Sequence, residues 1–338
     1  MPPPMDRPDP PITTTIRGSC VPPAGGGSKQ GQGLRILSGL TLASAYLLVV
    51  LGDTVRVTAS GMGCRSWPLC NGHLGLVGSY HALLEQSHRY LAVVVTVLVA
   101  ATFVAARRRQ RRHPLVLRAA AASVSLIGVQ IALGAITVFA HNAGWTVALH
   151  LAGAWLLLAA ITVTAFGVWR APPYESAAGA GSGAVPAGRV AVVAVVAVFA
   201  LAVSGMLVLH DGASRACPTW PLCRASSAPA RLVALQYLHR TLGLLASVAV
   251  VAVTWRTWRS AAAAPLDRFL GAAVAALLAL TAALGGIVAT TGAPRSAQDL
   301  HLAAASALWA ALIGLATPAA RHARVIRQRA IVSQPARS

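Results

Sequence analysis

Stretches of apolar residues long enough to cross a bilayer, about 20 residues each, recur along the chain. They lie near residues 35–56, 87–106, 115–139, 146–169, 189–210, 233–255, 266–290 and 299–319. Charged residues collect mostly between these stretches or at their ends. Inside lipid a backbone must satisfy its own hydrogen bonds, and a helix does so along its whole length. The pattern predicts an all-α polytopic membrane protein with eight transmembrane helices.

The order of short motifs along these spans repeats. CRSWPLC runs from Cys64 to Cys70, and CPTWPLC from Cys217 to Cys223, 153 residues later. His88-Arg89 returns as His239-Arg240, LGAITV from Leu133 as LGGIVA from Leu284, and His150-Leu151-Ala152 as His301-Leu302-Ala303, each 151 residues on. A copy holds four spans, an even number, so the copies share one orientation. The expected fold is two parallel-repeat four-helix bundles. The boundaries that follow are a disordered cytoplasmic tail at 1–33, an N-terminal half at 34–171, a linker at 172–188, a C-terminal half at 189–320 and a basic cytoplasmic tail at 321–338. The first tail is rich in Pro and Gly and has no apolar core of a cleaved signal. Its Cys20 is expected to remain a thiol without a function.

Composition agrees with the pattern. Of 338 residues 56% are hydrophobic and 11% charged, against roughly 25% charged in a soluble domain. The formal charge of +20 does not point to nucleic acid. With both termini inside, 20 Lys and Arg fall on the inner side and 8 on the outer, the asymmetry that orients a multi-pass protein in a cell membrane with cytoplasmic termini. Anionic lipid is the partner that this charge suits.

Ionisable groups inside spans are costly and mark function. His88, His150, His239 and His301 stand near the outer ends of even-numbered spans, and each pair is 62 residues apart. Paired imidazoles on different helices without carboxylate or thiolate company fit axial haem ligation better than zinc. His113 and His322 sit with inner-face arginines, whereas His73, His81, His141 and His210 lie in or beside outer loops; His81 and His141 are kept as pocket neighbours. Each C-x5-C pair falls in an outer loop, where a disulfide persists. Such a bond would serve as a loop staple or as a redox group, and spacing does not choose between them. Glu85 lies one helical turn from His88, on the same face, and is expected to turn its carboxyl into the pocket. Gln236 takes its place in the second copy.

Glu85-x-x-His88-Arg89, His150, His239-Arg240, His301 and the two WPLC-containing loops together resemble the haem A synthase family, over roughly residues 34–320. The resemblance implies a bacterial membrane oxidoreductase that converts the C8 methyl of haem O into a formyl group, giving haem A for cytochrome oxidase. It implies that His239 and His301 ligate the iron of a haem b cofactor, that His88 and His150 flank the substrate haem, and that Glu85 is the catalytic acidic residue. It matches Cys64 with Cys70, and Cys217 with Cys223, to the family's loop pairs. Haem O synthase would supply the substrate, and a quinone is a candidate electron acceptor. The Pro-rich tail departs from the matched part.

Two rival readings differ in class. A diheme membrane cytochrome b for quinol-linked electron transfer explains four histidines equally well, but neither Glu85 against Gln236 nor the cysteine loops. A repeat-built transporter needs helices broken by Gly or Pro at mid-membrane, and here Pro lies mostly in loops.

Overall fold

The computed structural model describes residues 26–75, 78–110, 113–170, 188–210, 212–224 and 226–317. Cys20, His322, nearly all of the expected linker and most of both tails lie outside them. Among the described residues there are eight long helices and no strand: α1 (Gly26–Val57), α2 (Tyr80–Arg109), α3 (Pro114–Phe139), α4 (Gly144–Trp169), α5 (Gly188–His210), α6 (Ala230–Arg259), α7 (Pro265–Thr290) and α8 (Arg295–Ala316). All eight contain a segment long and apolar enough to cross a membrane. The chain is an all-helical multi-pass membrane protein. α1 begins at Gly26, inside the stretch expected to be a disordered tail. The apolar run that predicts a span starts later than the helix, because a helix continues past the hydrocarbon wherever its backbone bonds do.

Local chemistry sets several ends. Ser79 caps α2, its side chain accepting from the Ala82 N–H at 3.2 Å. Pro114 and Pro265 open α3 and α7, where a missing N–H costs nothing. Asp267 accepts from the Ala264 N–H at 3.3 Å and closes the first turn of α7. α2 and α6 end in Arg107, Arg108 and Arg109 and in Arg256 and Arg259, cations that suit a helix C-terminus.

α4 and α8 form the centre. In α4 61% of the spanning window is buried inside the protein, and in α8 44%, against 11–28% in the other six. α1 packs on α2, α4 and α8, and α5 packs on α6, α4 and α8. Trp155 of α4 stacks on Trp309 of α8 with ring centroids 5.6 Å apart, and the Trp309 indole N–H donates to the Trp155 carbonyl at 2.9 Å. One cluster of buried apolar residues draws on all eight helices, so the two halves share a core. At the end remote from the cysteine loops, Arg170 after α4 pairs with Asp267 of α7 at 2.8 Å and donates to the Gly314 carbonyl of α8 at 2.8 Å. That clamp joins the halves a second time.

Candidate functional site

The four histidines of the repeated motifs lie on α2, α4, α6 and α8. Each ring rests on a glycine of a neighbouring helix. A Cβ placed at Gly52 of α1 would stand 2.9 Å from His88 Cε1, and at Gly205 of α5 3.2 Å from His239 Cε1. At Gly134 of α3 it would stand 3.6 Å from His150 Cε1, and at Gly285 of α7 3.1 Å from His301 Cε1. A Cβ at Gly52 would displace its imidazole, at Gly205 and Gly285 it would press on the ring, and at Gly134 it would only touch it, so three of these glycines make room for their rings. His88 lies near enough to His150 for their charges to interact, and His239 near enough to His301. The structure thus forms two two-histidine sites, one per half.

The sites differ in how their rings are held. His301 Nδ1 lies 3.0 Å from the Thr281 carbonyl oxygen. A carbonyl only accepts, so Nδ1 carries the proton and Nε2 is left with its lone pair. The Ser204 hydroxyl donates to the Leu201 carbonyl at 2.7 Å, and its oxygen lies 2.9 Å from His239 Nδ1, from which it accepts. Both C-terminal rings are therefore held as the tautomer whose Nε2 can bind a metal, the arrangement usual for metal-ligating histidine. In the N-terminal site, His88 Nδ1 and His150 Nδ1 are buried and have no hydrogen-bond partner among the described residues. No three His, Cys, Asp or Glu side chains among those residues converge to hold a bare ion. The C-terminal imidazoles, each beside a glycine and with an Nε2 lone pair to offer, would suit a haem iron.

A loop closed by a disulfide precedes each site. Cys64 is bonded to Cys70 and Cys217 to Cys223, so the pairing is within each loop and no four-cysteine zinc site exists. The arginine after each first histidine holds this loop. Arg89 donates to the carbonyls of Ser66 at 2.7 Å, Pro68 at 3.1 Å and Cys64 at 3.3 Å. Arg240 donates to the matching carbonyls of Thr219 at 2.8 Å, Pro221 at 3.0 Å and Cys217 at 3.1 Å. A guanidinium with five donors suits a loop that presents several carbonyls to one point.

Glu85 is buried, with 5% of its surface exposed. Its Oε2 accepts from the Cys64 N–H at 2.7 Å, and its Oε1 from Arg89 at 2.6 Å. The carboxylate thus turns to the disulfide loop and its arginine rather than free into the pocket, because those two donors lie within reach of both oxygens. Gln236 instead donates to the Ala213 carbonyl at 2.8 Å, holding a short 3-10 turn at Ala213–Arg215. An arginine ties each loop, and the first has the Glu85 carboxylate as a further tie where the second half has the Gln236 amide on the adjacent turn.

Of the remaining histidines, His81 Nδ1 meets the Ser60 hydroxyl at 2.8 Å, and His73 forms an isolated bridge with Cys70. His141 sits in the turn before α4 with a φ of 51°. Among the described residues no hydrogen bond or ring contact joins His81 or His141 to the paired imidazoles. Ser204, Thr281, the loop-holding role of Arg89 and Arg240, and the glycine floors were missed in the sequence. Gly134 and Gly285 lay inside the repeated LGAITV and LGGIVA, which signalled a constraint without its cause.

Residues 76–313 match the model of the cytochrome oxidase assembly protein family COX15-CtaA. The chain is 29% identical over 223 residues to a Heme A synthase of Shouchella clausii, covering 64% of this chain and 73% of that one. It is 28% identical over 206 residues to a Heme A synthase of Geobacillus kaustophilus, covering 59% and 62%, and 28% identical over 225 residues to one of Symbiobacterium thermophilum, covering 65% and 74%. The matched part thus spans under two thirds of the second relative's length. With most of its length under the family model and its paired histidines and disulfide loops in place, the chain belongs to the COX15-CtaA family of cytochrome oxidase assembly proteins.

Proposed function

We propose that this chain is a haem A synthase, an oxidoreductase that turns the C8 methyl of haem O into the formyl group of haem A. The observation that carries the reading is the inequality of the two histidine pairs. His239 and His301 have their Nδ1 atoms engaged by Ser204 and Thr281, as suits ligands of a resident haem b. His88 and His150 have no such partner among the described residues, as suits a pocket whose haem comes and goes. A haem b held by His239 and His301 would supply one-electron transfer. The chain's own part is to fix the rings, to hold the disulfide loop beside the N-terminal pair, and to keep Glu85, the proposed catalytic acidic residue, ion-paired with Arg89 at that loop. The pair as a whole is close to neutral, so the part of Glu85 in turnover would be to exchange a proton rather than to set a lone charge. Haem O is the substrate in this reading, haem O synthase its supplier and a quinone the candidate electron acceptor.

The test is to express the chain with a source of haem O, extract the haems from the membranes and identify them by chromatography and mass. Haem A is expected from the native chain. His301→Ala is expected to lose haem b and activity together. Only haem b from the native chain would favour a diheme cytochrome b instead, and a full haem b complement in His301→Ala would remove the cofactor assignment.

A further inference from the structure

Five hydroxyl side chains meet inside the N-terminal four helices, well away from the disulfide loops. Ser38 and Thr41 of α1, Thr102 of α2, Ser123 of α3 and Thr164 of α4 line one small void with a cavity volume of about 10 Å³. Each of the five residues is at most 4% exposed. The repeat offsets place Ala191, Ala194, Val253, Val274 and Leu315 at the matching positions of the other half. All five of these are buried and apolar. The same bundle position is thus polar in one half and apolar in the other.

The hydrogen-bond arithmetic identifies the ligand. Ser38, Thr41, Ser123 and Thr164 donate to carbonyls of their own helices at 2.8–3.0 Å, and Thr41 and Thr102 share a bond of 2.8 Å. A hydroxyl that has given its proton away still offers acceptor lone pairs. The lining therefore presents mainly acceptors, and water brings two donors to them. A cation would also seek oxygens, but no carboxylate lines the void, and an unpaired charge in an apolar bundle is costly. The enclosed part has room for about one water.

Two turns along α3 from Ser123 stands Gln130, 7% exposed. Neither atom of its amide has a partner among the described residues. The amide lies against Gly153 of α4, one turn from His150. We propose that the hydroxyl void is a water-binding site built only in the N-terminal half, and that Gln130 extends it as a file of hydrogen-bonding groups to the His88 and His150 pocket. The water site stands on the geometry alone. Its use, to exchange protons with the reacting site from the side opposite the disulfide loops, rests on the proposed function.

The test uses the full chain in lipid nanodiscs and millisecond hydroxyl-radical footprinting with X-rays, read by mass spectrometry. Radicals arise from bound water, so buried apolar side chains beside it become oxidised. Val99 and Ile161 line the void, and Val250 and Leu312 are their buried counterparts in the other half. Oxidation of the first two is expected to be several-fold that of the second two, and to fall to the same level in a Thr102→Val, Ser123→Val double variant. Equal oxidation in the native chain would overturn the water site. Oxidation that is suppressed in sodium chloride and restored in choline chloride would assign the void to a cation and also overturn it. Gln130→Leu is expected to keep both the footprint and the haem content, while haem A formation slows several-fold with a larger solvent deuterium isotope effect. An unchanged rate and isotope effect would remove the file and leave the water site. A native chain that makes no haem A would count against the proposed function and leave the footprint readable.

Discussion

The Ser204 hydroxyl and the Thr281 carbonyl do for the C-terminal imidazoles what no group among the described residues does for His88 and His150: they accept from Nδ1, select the tautomer and fix the ring. Loss of such a partner typically costs about 10–100-fold in metal affinity. Ser204→Ala should therefore lower haem b retention by about that factor, with a broadened low-spin spectrum and no change in the fold. Haem titration of the purified variant checks it, and native affinity would mean that packing alone orients His239. Glu85 gathers the Cys64 N–H and Arg89 on its two oxygens. Glu85→Gln keeps the volume but turns an NH2 toward one of those donors and removes the charge. We expect haem b to stay and haem A output to fall about a hundredfold, with haem O accumulating. Reduction of the Cys64–Cys70 bond should also be faster than in the native chain. Normal haem A from this variant would make the carboxylate a loop anchor and nothing more.

At the scale of elements, a helix face carries a ring only where the facing helix offers a glycine. α1 meets α2 at Gly52 and His88, and α5 meets α6 at Gly205 and His239. Because the Cβ of a larger residue would enter the ring's space, Gly52→Val should abolish haem A formation and leave the haem b spectrum intact. Gly205→Val should deplete haem b itself. Absorption spectra of the two purified variants separate the cases, and identical losses in both would show that the halves do not divide the work as assigned. The loops behave as elements too. Arg89 and Arg240 reach the same three carbonyls of their loops, so the arginines of the HR motifs are structural ties as much as charges.

At the scale of the whole molecule, the halves meet through α4 and α8. The Trp155–Trp309 stack and the Arg170–Asp267 pair, whose side chains are 13% and 6% exposed, are their polar and aromatic fastenings. Removing a large buried aromatic side chain costs about 3–5 kcal/mol. Trp309→Ala should therefore lower the thermal midpoint in detergent and release haem b in the same transition as the helices unfold. Calorimetry alongside the haem absorbance checks this, and a haem loss that precedes unfolding by many degrees would show that the C-terminal half holds its cofactor without the shared core.

Length, apolarity and spacing along the chain suffice for the number of spans, their approximate limits, the repeated order of motifs and the four histidines, since each is a local property of the chain. The sequence also carried the asymmetry of Glu85 and Gln236, though not its meaning. Only the tertiary structure decided that α4 and α8 are central, because lipid and protein interior are equally apolar and hydropathy does not tell them apart. It likewise decided that Glu85 turns to the loop, that Ser204 and Thr281 orient two rings while the Nδ1 atoms of the other two have no partner among the described residues, and that five hydroxyls scattered over four helices share one void. Each of these depends on side chains from separate helices meeting in space, and no spacing along one helix encodes what its neighbours bring.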